Sequence, residues 1–286
     1  MLIQLFNFIR KLPVGRVPIS LFLLKFGVVP KEKVHFKHKD GFELLLDLSD
    51  WVQLVIFLFG DYKYEKREVA LWKKLATKSF NVLDIGAHIG YYSLLACSSG
   101  KNVKVLAVEP SLKTFAALNE NIKANDYNIQ PYYLAIGKEQ GRATMKIADK
   151  NNSGMNYLDV ANSNNEHSVE LDTLDHFYSQ KLNSKSVDLM KIDAEGSEFN
   201  ILLGAQEFLE SSKPIIFIEL LNSTLNRFGA DIQQVYELMQ QLGYEFYYIN
   251  ENSEILRCTY GQEGEVLILI HPNKRKFINS VASIER

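Results

Sequence analysis

The stretch Val82-Leu83-Asp84-Ile85-Gly86-Ala87-His88-Ile89-Gly90-Tyr91-Tyr92 narrows the fold more than any other part of the chain. It reads as a short buried strand closed by an acid, then a glycine turn, then the start of a helix. Glycine permits positive φ and close backbone approach, so such a turn is built for proximity. A second apolar run, Val105-Leu106-Ala107-Val108-Glu109-Pro110, also ends on an acid, twenty-five residues after Asp84. Two successive strand-acid units predict a mostly parallel α/β sheet that binds its ligand at the carboxyl ends of the strands.

The rest of the chain extends this alternation. Tyr64 to Ala76 has helical spacing, with Val69, Trp72 and Leu75 on one face, and Ser111 caps a helix running to about Ala124. Ile129 to Ile136 and Arg142 to Ile147 read as strands flanking a turn at Gly137 to Gly141, and Val187 to Ile192 and Ile215 to Glu219 as further strands. Ser197 to Leu209 and Ile232 to Leu242 read as helices, and Tyr244 to Ile249 with Val266 to Ile270 as a closing pair. The Asn- and Ser-rich segment 149–167 reads as a loop over a site. Upstream, Val34 to Leu48 alternates around Lys39-Asp40-Gly41, a hairpin signal, and residues 1–29 read as one or two short amphipathic helices interrupted around Pro13 to Pro18. The expected division is residues 1–48 for an N-terminal basic, amphipathic extension and hairpin, and 49–286 for the catalytic domain.

The ligand at such strand ends is a nucleoside cofactor. Glu109 can accept both ribose hydroxyls, and Asp84 lies beside the turn. The dinucleotide fingerprint G-x-G-x-x-G would need glycine at 88 and 91, where the chain has His88 and Tyr91. A carboxylate at Asp84 repels pyrophosphate but suits the ammonium of S-adenosylmethionine (SAM). Neither a P-loop nor an HExxH or GxSxG motif occurs. The residues therefore point to SAM, with Asp84, Gly86, Gly90 and Glu109 at its site.

Asp84-Ile85-Gly86-Ala87-His88-Ile89-Gly90-Tyr91, Val108-Glu109-Pro110, Leu134-Ala135-Ile136-Gly137 and Lys191-Ile192-Asp193-Ala194-Glu195-Gly196-Ser197-Glu198 together resemble the successive motifs of the FkbM-type SAM-dependent methyltransferases. Asn121, Asn125, Leu174-Asp175, Leu203-Gly204-Ala205, Glu219 and the upstream Gly60 to Glu65 also fit, so the resemblance runs over roughly residues 45–250. His88 departs from it, standing where the family usually has Asn. The resemblance implies the class I Rossmann-like fold, a mostly parallel seven-stranded sheet with one antiparallel strand and helices on both faces. It implies Ala87, His88, Pro110, Ala135 and Glu65 as further cofactor contacts, and O-methylation of saccharides, glycolipids or secondary metabolites.

A hydroxyl acceptor needs a base or a metal to take its proton. Asp193, Glu195 and Glu198 crowd the end of a buried strand, where acids need a task. Glu198 also fits a structural place in the first helical turn. Asp193 with Glu195 assisting reads as the general base. Alternatively Asp193, Glu219 and Asn222 have the donor types of an Mg²⁺ site, but that reading rests on loop geometry a sequence does not show, so the base is preferred. Two rivals stand beside this assignment: an RNA ribose methyltransferase using Lys191 and Asp193, and a SAM-fold module that binds without catalysis.

Residues 1–39 carry eight Lys or Arg and one acid, Glu32, a balance of +7 in a chain whose net charge is −2. The remainder is thus at −9, which gives nucleic acid no general attraction. The basic arm carries Leu2, Leu5, Phe6 and Ile9 at helical spacing beside Arg10, Lys11 and Arg16, the makeup of an interfacial anchor. No apolar run is long enough to span a bilayer, and the order of apolar and basic residues is wrong for a signal peptide. Cys97 and Cys258 form no CxxC pair and fit a reducing compartment. The expectation is a cytoplasmic enzyme, peripheral on the inner membrane surface through residues 1–29.

Overall fold

The computed structural model describes residues 2–149, 151–159, 168–181 and 186–284. Its strands are β1 (Val34–Lys37), β2 (Glu43–Leu46), β3 (Asn81–Ile85), β4 (Lys104–Val108), β5 (Ile129–Tyr132), β6 (Ala135–Gly137), β7 (Gly141–Lys146), β8 (Tyr157–Asp159), β9 (Ser168–Thr173), β10 (Leu189–Ile192), β11 (Ile215–Leu220), β12 (Glu245–Ile249), β13 (Ile255–Arg257) and β14 (Gly264–Ile270). The helices used below are α1 (Leu2–Arg10), α2 (Arg16–Lys25), α3 (Trp51–Phe59), α4 (Lys66–Ala76), α5 (Tyr91–Ser99), α6 (Leu112–Lys123), α7 (Leu174–Lys181), α8 (Glu198–Leu203) and α9 (Gln206–Ser212).

The main sheet has the order β5-β4-β3-β10-β11-β14-β12-β13. β5, β4, β3, β10 and β11 run parallel, and β14 is antiparallel to both β11 and β12. Seven of these strands are those expected. The eighth, β13, is a short edge strand turned back onto β12 in antiparallel register. Three residues are too few to show a period of two, which is why the sequence did not display it.

Alternation along the central strands feeds two separate cores. Val82, Val105, Leu189, Ile215 and Phe217 face one side, with α3 to α6, α1 and the β1–β2 hairpin. Leu83, Leu106, Met190, Ile192, Ile216 and Ile218 face the other, with α7, α8 and α9. Each strand is thus apolar on both sides, as a doubly covered parallel sheet demands. The hairpin pairs Val34 with Leu46 and Lys37 with Glu43, as its alternation predicted. Asn121 on α6 and Asn125 just past its end clamp β2: their side-chain oxygens accept from Leu45 N at 2.7 Å and Glu43 N at 2.8 Å.

Several expectations need correction. The single strand foreseen over Ile129 to Ile136 is two: β5 stays in the main sheet, and β6 leaves to pair with β9 in a side sheet of order β6-β9-β7-β8. The helix foreseen over Ser197 to Leu209 breaks at Gly204, where a Cβ would sit 2.1 Å from the Gly137 carbonyl oxygen, so the break admits the end of β6. Helix α3 was not foreseen. It is apolar nearly all round and so shows no period, but Asp50 caps it by accepting from Gln53 N, and Gly60 closes it at φ 77°. β9 and α7 were not foreseen either. Of the loop expected over 149–167, residues 150 and 160–167 lie outside the described residues, while 153–155 form a short helical turn and 157–159 form β8. Pro18 falls inside α2 rather than before it, within the first turn, where amides lack intrahelical partners.

The N-terminal anchor face was also misassigned. Phe6 and Ile9 of α1 are buried in the core. Arg10 lies 4.6 Å from the Phe36 ring centroid and 5.4 Å from that of Phe57, so the first helix is packed on the domain by these side chains. Among the described residues, no helix is long and apolar enough to cross a membrane.

Candidate active site

The register of β3 and β10 sets Asp84 directly beside Lys191. Asp84 is 1% exposed; its Oδ2 accepts from Ser93 Oγ at 2.6 Å, and its Oδ1 finds no donor among the described residues. Burial raises its pKa, and the Ser93 hydroxyl and Lys191 charge offset part of that rise. Burial alone would lower the Lys191 pKa, but Asp193 and Glu65 hold the ammonium above its ordinary range. Its Nζ lies 2.5 Å from Asp193 Oδ2 and 4.6 Å from the Tyr92 ring centroid. Tyr92 in turn donates its hydroxyl to Glu65. A buried orphan carboxylate oxygen beside a cavity marks a place for a cationic donor.

The turn after β3 is shaped from both sides. Gly86 N and Ala87 N donate to the Val108 carbonyl at 2.9 and 3.0 Å. His88 N donates to Glu109 Oε2 at 2.9 Å, and Ser111 N to Glu109 Oε1 at 2.8 Å. Glu109 is thereby fixed with each carboxylate oxygen on a backbone amide, and burial pushes its pKa up to about 7. His88 sits at φ 52°, in the left-handed region that Asn and His tolerate better than most side chains, which accounts for His replacing Asn there. Its Nε2 meets Ser153 Oγ at 2.5 Å, and burial lowers its pKa. Gly86, at φ 77°, would place a Cβ 1.8 Å from the Asp193 carbonyl oxygen, so its smallness first serves the approach of two turns rather than that of a ligand.

After β10 the chain turns through Glu195 at φ 53° and Gly196 at φ 109°. A non-glycine residue such as Glu195 is strained there and persists only where the surroundings fix it, whereas Gly196 adopts its positive φ freely. Glu198, fully buried, does the fixing: its Oε1 accepts from Ala194 N at 2.9 Å and Gly196 N at 3.2 Å. The turn brings Asp193, Glu195 and Glu219 together, each offering an oxygen within 4.8 Å of the others. Burial, then the Asp193 charge, pushes Glu195 up to about 8 and Glu219 up to about 9.

This crowding has a consequence for stability against pH. A carboxyl with a raised folded-state pKa keeps its proton in the native state while the unfolded chain gives its own up, so stability falls as pH rises to the folded value. Below about pH 6.5 the buried neutral His88 opposes this trend, because the unfolded chain alone gains its proton there. Between about pH 7 and 9 the acids act, joined toward pH 9 by the thiols of Cys97 and Cys258, whose pKa values, raised by burial, shift stability the same way. The melting temperature should therefore drop over that range, and Glu219→Gln should flatten the drop. A wild-type melting temperature that is level or rising from about pH 7 to 9 would refute the shared burial of these acids.

One cavity gathers most of the predicted residues. Asp84, Gly86, Ala87, His88, Glu109, Pro110 and Glu65 line it, as do Asp193, Glu195 and Glu219. Gly90 does not line it; at φ 87° it starts α5, and a Cβ there would press on Leu118. Ala135 faces the small core of the side sheet, while its neighbours Leu134 and Ile136 line the cavity. Asn222 is excluded from the acidic group: its Nδ2 donates to Glu263 at 2.9 Å and its Oδ1 accepts from Ile232 N at 3.0 Å. The metal-ligand set read from the sequence, Asp193, Glu219 and Asn222, is thus replaced by Asp193, Glu195 and Glu219, with the Lys191 ammonium already on Asp193.

The methyltransferase FkbM domain model matches residues 84–246. The chain belongs to this FkbM methyltransferase family. A segment of 145 residues is 26% identical to Methyltransferase 1 of Beauveria bassiana, covering 44% of this chain and 58% of that protein, so the match spans little more than half of the relative's length. Among solved structures, methyltransferase FkbM from Methylobacillus flagellatus is 14% identical with a TM-score of 0.44, over 89% of this chain and 58% of that one. An O-methyltransferase from Bacillus cereus, solved in complex with SAH, is 11% identical with a TM-score of 0.41, over 93% and 97%.

Within this FkbM chain the family's motif residues divide into two kinds. Asn121, Asn125 and Glu198 hold backbone in place, as does Asp175, which accepts from Phe208 N at 2.8 Å and caps α9. Asp84, Glu109, Asp193 and Glu195 instead face the cavity. The loop read over the site at 149–167 contributes Ser153, Asn156 and Tyr157 to the cavity lining, whereas the sequence did not single out Tyr62 and Tyr92, which also line it, or Ser93, which bonds Asp84. Ser93 was detectable, since a residue one turn into the helix after a strand-end acid can reach back to it.

Proposed function

We propose that this FkbM chain transfers the methyl group of SAM to a hydroxyl of a saccharide, glycolipid or secondary metabolite. The observation that carries the reading is the convergence of Asp84, Glu109 and Asp193, from the ends of three adjacent parallel strands, on one cavity. Asp84, with its orphan oxygen, would hold the ammonium, and Glu109 the ribose hydroxyls. The turn Gly86-Ala87-His88, Pro110 and Glu65 would complete the contacts. Bound there, SAM supplies an electrophilic methyl group. The chain's own part is to hold the acceptor hydroxyl in line and take its proton. Asp193 is the proposed base, paired with the Lys191 ammonium, with Glu195 assisting as a second proton site. Lys191 on Asp193 would have to yield to an Mg²⁺ ion, so the base is preferred over a metal.

Two measurements test this reading. Calorimetry should show SAM binding in the micromolar range, about −8 kcal/mol. Glu109→Ala should weaken it by about 1.5–3 kcal/mol through lost hydrogen bonds to a charged acceptor. NAD binding without SAM binding would end the cofactor assignment. Conversion of SAM to S-adenosylhomocysteine, assayed against saccharide and RNA pools, then separates sugar methylation from RNA methylation and from binding without turnover.

A further inference from the structure

Helix α2 is built inside out for a surface helix. By its period, Pro18, Ile19, Leu21, Phe22 and Lys25 fall on one arc of roughly 160°, continued by Phe26. All six are exposed, while Arg16, Val17, Ser20, Leu23 and Leu24 occupy the inward arc. A surface helix ordinarily turns its polar side outward. Here Phe22 is 62% and Phe26 63% exposed, and their rings touch, 4.8 Å between centroids. Phe8 on α1 and Val14 between the helices, 63% and 79% exposed, add to the face. Among the described residues, nine of the fifteen exposed large apolar side chains fall within residues 3–28.

Charge identifies the occupant. Lys25 stands within the apolar arc itself, and Lys11 and Lys31, on either side of α2 in the chain, are exposed; Lys33 is exposed too but paired with Glu120. The sole acid among residues 1–39 is Glu32. Apolar side chains flanked by lysine are the composition of a segment lying in the headgroup layer of an anionic bilayer. Arg16 ties the helix to the domain, donating to the Leu58 carbonyl at 3.0 Å, and α3, which carries Leu58, lines the cavity with Val52 and Ile56.

We propose that the outward face of α2, with Phe8 and Val14, docks the protein on an anionic membrane surface. Its residues differ from the Phe6 and Ile9 face that the sequence pattern favoured. The full chain should co-sediment with vesicles of phosphatidylcholine containing about one quarter phosphatidylglycerol. It should do so at least about tenfold more weakly with pure phosphatidylcholine, and release as salt rises. Phe22→Asp with Phe26→Asp should cut the partition constant at least about a hundredfold, since two exposed aromatics are lost and two charges gained. Lys11→Glu with Lys25→Glu should cut it about tenfold or more while removing no apolar surface. All four sites are exposed, and unchanged melting temperatures would verify that the variants fold. The proposal is overturned if wild-type protein stays in the supernatant at low salt, or if the Phe22/Phe26 variant sediments like wild type. It is equally overturned if light scattering finds a dimer that this variant splits while no vesicle binding occurs.

Discussion

Asp193→Asn should lower turnover at least about a hundredfold while leaving SAM affinity within about twofold. The substitution keeps the size and shape of the side chain and removes its charge and its capacity to take a proton. Lys191 loses its contact at 2.5 Å but retains the charges of Glu65 and Asp84 around it, so the fold is not left with an isolated buried cation. The same change removes the charge that, after burial, does most to push up Glu195 and Glu219. Both carboxyls should therefore titrate lower in the variant, visible in carbon NMR of labelled glutamate. EDTA separates the two chemistries open at this side chain. Activity that survives chelation supports the base, and activity lost and restored by Mg²⁺ supports a metal on Asp193, Glu195 and Glu219. Wild-type turnover by Asp193→Asn on the true acceptor would end both, leaving Glu195 or His88 as the next candidate.

Gly86→Ala should be the most destabilising single-methyl change in the site. The new Cβ would lie 1.8 Å from the Asp193 carbonyl oxygen, a backbone atom that cannot swing aside, and φ 77° is costly for alanine. Strain and overpacking each cost about 1–3 kcal/mol, and together about 3 kcal/mol or more. For a chain of this size that is a drop of roughly 6–12 °C in melting temperature. Gly229→Ala is the control: φ 71° with nothing within 4 Å isolates the backbone cost alone. If the two variants melt together, the contact between the turns is softer than its geometry implies.

What the sequence made legible was whatever repeats at short range. The acids at the ends of β3, β4 and β10 were readable because a buried strand that closes on a carboxylate is chemically odd. The hairpin was readable from its alternation. α3 was not, because a helix apolar on every side carries no period, and β5 with β6 read as one strand because nothing local marks a change of sheet. The glycines were read correctly as turns, but their packing neighbours were not: Gly86, which lines the cavity, also makes room for Asp193, and Gly90 for Leu118. Asn222 looked like a ligand because its type fits, yet its bonds to Glu263 and Ile232 are long-range facts. The outward face of α2 was hidden for the same reason, since periodicity gives the faces of a helix but not which one meets the core.

The side sheet buries five residues of its own, Ala135, Ala143, Leu158, Val169 and Leu171, as a cluster distinct from the two large cores. Local opening costs least where few apolar contacts must be broken. The cavity therefore has walls of unequal stiffness. Asp84, Glu109 and Asp193 stand at the ends of strands locked between two cores, whereas Tyr157 and Leu158 belong to a segment whose amides should exchange with solvent at a far smaller free-energy cost. For the acceptor proposed above, that wall is therefore the one whose local excursion costs least, with the strand-end carboxylates held in register throughout.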